Sequence, residues 1–150
     1  MKPQKTIGFE INVLANLIKR HIDNAAASVY KDMADVTSMT GTNWWVMGYL
    51  YCNQEKDLFQ KDLEEKFSIR RSTASKILTI MESKNLINRI PVDYDARLKK
   101  LVLTEKALIL HDALRTKLKE LELQVTQGLS SEELDTLFCL LDKIKKNIKE

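Results

Sequence analysis

The sequence is poor in turn-formers and in thiols, with Gly 4, Pro 2 and Cys 2 among 150 residues. So little Gly and Pro excludes a turn-rich all-β architecture and leaves long helices as the expectation. Two cysteines without a framework spacing exclude a disulfide scaffold and fit a reducing, cytoplasmic setting. The longest apolar run, residues 44–52, is nine residues long, against roughly 20 needed to span a bilayer. Lys2 and Lys5 are followed by Glu10 and Asn12 rather than by an apolar segment, so no secretory leader is read and no membrane is expected as a partner. A Gly-rich phosphate loop, a paired-carboxylate motif and a nucleophile elbow are also missing, which gives no ground for an enzyme, a catalytic residue or a cofactor. His21 and His111 are the only histidines and have no Cys or His at ligand spacing. They read as packing or surface residues, with no metal site expected.

What is present is a globular composition, 44% hydrophobic and 30% charged, in a length suited to one domain. The net charge of +3 is unevenly placed. Residues 66–100 hold nine basic and three acidic side chains, a net of +6, so the other 115 residues carry −3. A basic middle between neutral-to-acidic flanks points to a polyanion-binding module, or to a solvated charged face.

Apolar residues at Ile7, Ile11, Leu14, Ile18, Ile22, Ala25, Val29 and Met33 recur every three or four positions and predict a helix over 7–36. Such a helix is about 40 Å long, more than a compact domain of this size needs, so it is expected to lie along a second subunit. Thr40 reads as an N-cap for a second helix over 42–53, apolar almost all round and therefore buried. A short helix over 60–67 and an amphipathic helix over 71–84 follow. Asn85 stands where a helix-ending residue of positive φ is wanted, with Leu86 placed to pack back on Met81. Two β-compatible runs, 87–92 and 98–103, predict a hairpin with a charged tip, Pro91 restricting the first to an edge. Thr104 opens a long helix with apolar positions Ala107, Leu110, Leu114, Leu118, Leu121 and Val125, ended by Gly128. Ser130 and Glu133 form a capping box for a last helix expected to bury Leu134, Leu137, Phe138, Leu141, Ile144 and Ile148.

On the 71–84 helix, Ala74, Ile77, Leu78 and Met81 fall on one face, and Ser72, Lys76, Thr79 and Ser83 on the opposite one, with no carboxylate there. A solvated helix normally mixes charges, whereas a helix entering a DNA groove must keep carboxylates from phosphates, and small hydroxyl side chains permit close approach. With the preceding short helix and the following hairpin, the segment reads as a helix-turn-helix with a wing.

Phe59-Gln60-Lys61-Asp62-Leu63, the run Arg71-Ser72-Thr73-Ala74-Ser75-Lys76-Ile77-Leu78, Lys84-Asn85-Leu86-Ile87, Asp95-Ala96-Arg97 and Leu103-Thr104-Glu105-Lys106 together resemble the MarR family of bacterial transcription regulators, over essentially the whole chain. Asn85 and Ala107 stand where that family usually has Gly, and Ala96 and Leu98 where it is often basic. The resemblance implies a mainly α chain with a small β-hairpin wing. A winged helix-turn-helix over 40–103 would be embedded in a helical dimerisation region formed by 7–36 and 104–149. It also implies a homodimer on palindromic double-stranded DNA, acting as a repressor released by small aromatic compounds, metals or oxidants.

The candidate DNA contacts follow. Ser72, Thr73 and Ser75 lie where a helix N-terminus offers free N–H groups. Arg70, Arg71 and Lys76 add charge beside them, with Arg71 or Lys76 suited to a guanine edge. Lys99 adds a cation on the second strand of the wing. Asp95 and Arg97 match the family's wing tip, which implies an Arg for the minor groove and an Asp that orients it. Trp44, Trp45 and Tyr49 are candidates for lining an effector pocket, or simply core. Two other readings compete: a winged helix serving protein partners, and a thiol-based redox sensor resting on Cys52 and Cys139. Neither cysteine has an adjacent cation, which favours buried, inert thiols.

Overall fold

A computed structural model describes residues 5–30, 39 and 41–150. In chain order it contains α1 (Ile7–Val29), α2 (Gly41–Cys52), α3 (Gln60–Phe67), α4 (Arg71–Ser83), β1 (Ile87–Val92), β2 (Asp95–Leu103), α5 (Glu105–Val125) and α6 (Ser131–Ile148). The described part of the first predicted helix is α1, Ile7–Val29. Thr6 caps its start by accepting from the Phe9 amide at 3.3 Å, and Tyr30 closes it with its N–H on Ala26 O. The Tyr30 ring stacks on Trp44, centroids 5.1 Å apart, and its hydroxyl donates to Leu110 O at 2.7 Å. The predicted continuation to residue 36 and the Thr40 cap lie outside the described residues.

The core forms where α1, α2 and α5 meet the winged unit. Ile22, Met47, Leu63, Leu78, Met81, Leu86, Ile87 and Leu114 are its largest fully buried side chains. The predicted inner face of α4 is the observed one: Ala74, Ile77, Leu78 and Met81 are buried. The α3–α4 turn depends on Ser68 at φ 49, whose N–H reaches Glu64 O and Glu65 O. Asn85 takes φ 57, and Leu86 N donates back to Met81 O at 2.9 Å, the Schellman-type ending expected there.

The hairpin is antiparallel, pairing Ile87 with Leu103 and Pro91 with Lys99, with a register shift between Pro91 and Val92. Its second strand begins at Asp95 rather than at residue 98, so the Asp-x-Arg segment belongs to the strand. Leu101 N donates to Leu58 O at 2.7 Å and fastens the base of the wing to the segment before α3.

Three expectations are corrected. The helix α5 ends at Val125 with Thr126 as its cap, and Gly128, at φ +82, serves the turn beyond it. The capping box of Ser130 and Glu133 is present, yet α6 buries no residue against its own chain. Leu137, Phe138 and Ile148 are exposed, and Leu134, Leu141 and Ile144 are only half-buried. Cys52 and Cys139 are both exposed rather than buried. Cys52 is the last residue of α2, and Cys139 lies on α6, where no residue is buried.

Candidate nucleic-acid interface

The N-terminus of α4 is electrically open. Arg70, at the cap position, provides no side-chain cap, and no acidic residue occupies the first turn. The first amide bonded back along the helix is that of Ala74, to Arg70 O at 3.0 Å. The amides of Arg71, Ser72 and Thr73 thus lack intrahelical partners, and the positive end of the helix dipole faces outward unneutralised. Gln60 steadies this end by donating its side-chain amide to Arg71 O at 3.3 Å.

Arg70, Arg71, Ser72, Thr73, Ser75 and Lys76 are all exposed. Farther along the helix Thr79 donates its hydroxyl to Ser75 O at 2.8 Å, and Ser83 does the same to Ile80 O at 2.7 Å. Both hydroxyls are engaged with their own helix, which concentrates the interaction-ready groups toward the N-terminal end. Glu82, the one carboxylate on α4, pairs with Arg89 of β1 at 3.5 Å and so is turned to the wing base.

At the wing, Asp95 Oδ1 accepts from the Arg97 amide at 2.9 Å and from Arg97 Nε at 3.4 Å. The Arg97 side chain is 91% exposed while that of Asp95 is 30% exposed. The carboxylate is thus drawn in against its own strand, and the guanidinium is held from one side only, leaving its other N–H groups outward. Lys99 is exposed on the same strand. A second wing contact has no counterpart in the sequence pattern. Asp57, before α3, accepts from the Tyr94 hydroxyl at 3.3 Å and pairs with Lys100 at 3.6 Å. Partial desolvation and the Asp57 carboxylate raise the Tyr94 pKa. These partners are separated by 37 residues or more, so no local pattern announces them.

The three aromatic residues considered for an effector pocket do not converge. Trp44 is buried against Tyr30. Trp45 is 53% exposed on another side of α2. Tyr49 lies edge-on to Phe67 at 5.8 Å with the Lys66 ammonium 5.7 Å from its ring. Trp45 and Tyr49, four positions apart, share a helix side that Trp44 does not. Among the other titratable groups, His111 is buried beside the Tyr51 ring, 4.1 Å between centroids, and burial lowers its pKa. His21 is exposed, and no group of His, Cys, Asp and Glu able to hold a metal ion occurs among the described residues. No helix among them is long and apolar enough to cross a membrane.

The model of the MarR family matches residues 37–98, the α2-to-wing portion. A solved transcription regulator MarR from Oenococcus oeni PSU-1 is 31% identical, with a TM-score of 0.78, covering 94% of this chain and 99% of that one. The MepR–DNA complex of S. aureus, 24% identical, has the same fold at a TM-score of 0.81 over 97% of this chain and all of that one. An uncharacterized HTH-type transcriptional regulator, YybA, of Bacillus subtilis (strain 168) is 26% identical over 133 residues, 89% of this chain and 85% of that protein. By the family model and by 31% identity to a solved MarR regulator over nearly the whole chain, this chain belongs to the MarR family of transcription regulators.

Proposed function

We propose that two copies of this chain form a dimer that binds palindromic double-stranded DNA as an effector-responsive repressor. The observation that carries the reading is the carboxylate-free, uncapped N-terminal half of α4. Free amides, short hydroxyls and Arg70, Arg71 and Lys76 are exposed together there. Such a surface suits phosphates and base edges and would be wasteful on a helix meant only for water. In this reading Ser72, Thr73 and Ser75 approach the groove, and Arg71 or Lys76 reads a guanine edge. Asp95 orients Arg97 for a narrow minor groove, and Lys99 adds a phosphate contact.

Dimerisation is supported by the uncovered apolar side chains of the helical region. Ile7, Phe9, Ile11 and Leu14 on α1, Leu123 and Val125 on α5, and Leu137, Phe138 and Ile148 on α6 are exposed. A monomer would hold this apolar surface in water, and a second copy removes it. An effector acts by favouring a dimer whose recognition helices no longer match the half-site spacing. Planar aromatic acids are the first class to try, with Trp45 and Tyr49 as the exposed aromatic side of α2 and Trp44 as core support. The reading calls for no catalytic step.

A mobility-shift titration on genomic fragments tests the proposal. Retention of particular duplexes that weakens steeply with salt is expected. Capture of no duplex at low salt would leave the winged helix to protein partners and overturn the DNA reading.

A further inference from the structure

The turn that ends α4 is held by side chains from the start of α5. After Ser83 the chain passes through Lys84 and through Asn85 at φ 57. The carbonyls of both residues lie beyond the helix's own bonding ladder. Lys106 Nζ donates to Lys84 O at 3.0 Å, and the Thr104 hydroxyl donates to Asn85 O at 2.7 Å. The Thr104 backbone adds a third bond, its N–H to Leu86 O at 3.0 Å. The same Thr104 oxygen accepts from the Ala107 amide at 3.2 Å, as the N-cap of α5. One hydroxyl therefore ends one helix and begins the other. Past this joint α5 buries Ala107, Leu110 and Leu114, takes the Tyr30 hydroxyl on Leu110 O, and runs on to the exposed Leu123 and Val125. A single helix links the recognition unit to the surface offered to a second copy.

We infer that Thr104 and Lys106 are positioning residues for DNA recognition, setting the angle between the winged unit and α5 and so the separation of the two recognition helices. The inference rests on the dimeric DNA-binding reading above. Its leverage is geometric. Thirteen residues make α4 about 20 Å long, and its DNA-facing end is the one far from the joint. Because α4 is packed into the winged unit by Ala74, Ile77, Leu78 and Met81, the joint tilts that unit as one body. A tilt of about 10° over such a lever moves the far end by about 3.5 Å, the rise of one base pair. Two helices that must meet half-sites about one DNA turn apart tolerate little of that.

The test begins with selection from randomised duplexes by the parent protein, followed by titration of the selected half-sites at the parent's spacing and with one base pair inserted or removed. The quantity read is the spacing penalty within each variant, so an overall change in affinity cancels. The parent is expected to lose about tenfold or more per base pair of misplacement. Thr104→Val, which keeps shape and loses both hydroxyl bonds, and Lys106→Met, which keeps the stem and loses the ammonium, should each shrink the penalty to about threefold or less. Thr104→Ser should restore it. Circular dichroism checks that each variant is folded, and Lys106→Met leaves the cap intact should Thr104→Val prove too unstable. An undiminished penalty in Lys106→Met and in any folded Thr104→Val overturns the inference while leaving the DNA reading standing. Failure of the parent to select any DNA, or selection of half-sites without fixed spacing, overturns both.

Discussion

The helices α4 and α6 carry the same kind of pattern and meet opposite fates. Both are amphipathic, with apolar residues every three or four positions. Yet α4 buries Ala74, Ile77, Leu78 and Met81, while α6 buries nothing and leaves Phe138 58% exposed. The difference lies in what the rest of the chain supplies. The stripe of α4 meets α2, α3 and the wing base. Among the described residues the stripe of α6 finds no such cover, and neither does the N-terminal half of α1, where Ile7, Phe9 and Leu14 are exposed. Periodicity therefore announces that a face will be covered without saying by which molecule. In this protein the winged unit is completed by its own chain, and the helical arm is proposed to be completed by a second copy.

The largest effect is expected from a polar α6 face. Leu137→Glu combined with Phe138→Glu should separate the dimer while leaving the winged unit folded. Loss of the second half-site contact should lower operator affinity by about 10²–10⁴-fold. Sedimentation and DNA titration on the same sample check both halves. Leu78→Ala tests the opposite side of the comparison. Its side chain is fully buried within one chain, so it should cost roughly 2–5 kcal/mol of stability. Urea unfolding would reveal this as a lowered midpoint, and an effect confined to dimerisation would contradict the assignment.

A smaller effect is expected at the wing. Arg97→Ala should weaken DNA binding on the order of tenfold and lower the salt slope by about one unit. Asp95→Ala should weaken it less but in the same direction, even though it removes a negative charge, because Arg97 loses the carboxylate that holds its amide and Nε. Tighter binding by Asp95→Ala would sink the orienting role.

The smallest effect concerns pH. Burial lowers the His111 pKa from its ordinary 6.5, so the folded state favours the neutral ring. Below that value the unfolded chain binds the proton more readily, and stability falls as pH drops from about 6.5 toward the lowered pKa. Thermal melts from pH 8 to about 5 should show this loss, and His111→Gln should flatten it.

Much of the fold was legible because its signals are local. The inner face of α4, the positive φ of Asn85 and the capping box at Ser130 each follow from a few neighbouring residues, and each is present. The partners of Tyr30 were not legible: its ring meets Trp44 and its hydroxyl the Leu110 carbonyl, 80 residues away. The exposure of Cys52 and Cys139 was missed for a related reason: hydrophobic neighbours in sequence do not reveal which side of a helix remains open. At the site, the residue types along α4 and the Asp-x-Arg pair were readable. The Asp57 contacts with Tyr94 and Lys100, and the double duty of Thr104, required the tertiary fold.

Two chains, joined through their helical arms, are proposed to place two winged units on one duplex. Light scattering of the free protein and of its complex with a selected duplex measures this directly. A free species of twice the chain mass at micromolar concentration and a complex of two chains per duplex are expected. A folded, stable monomer that binds as one chain per duplex would contradict that arrangement.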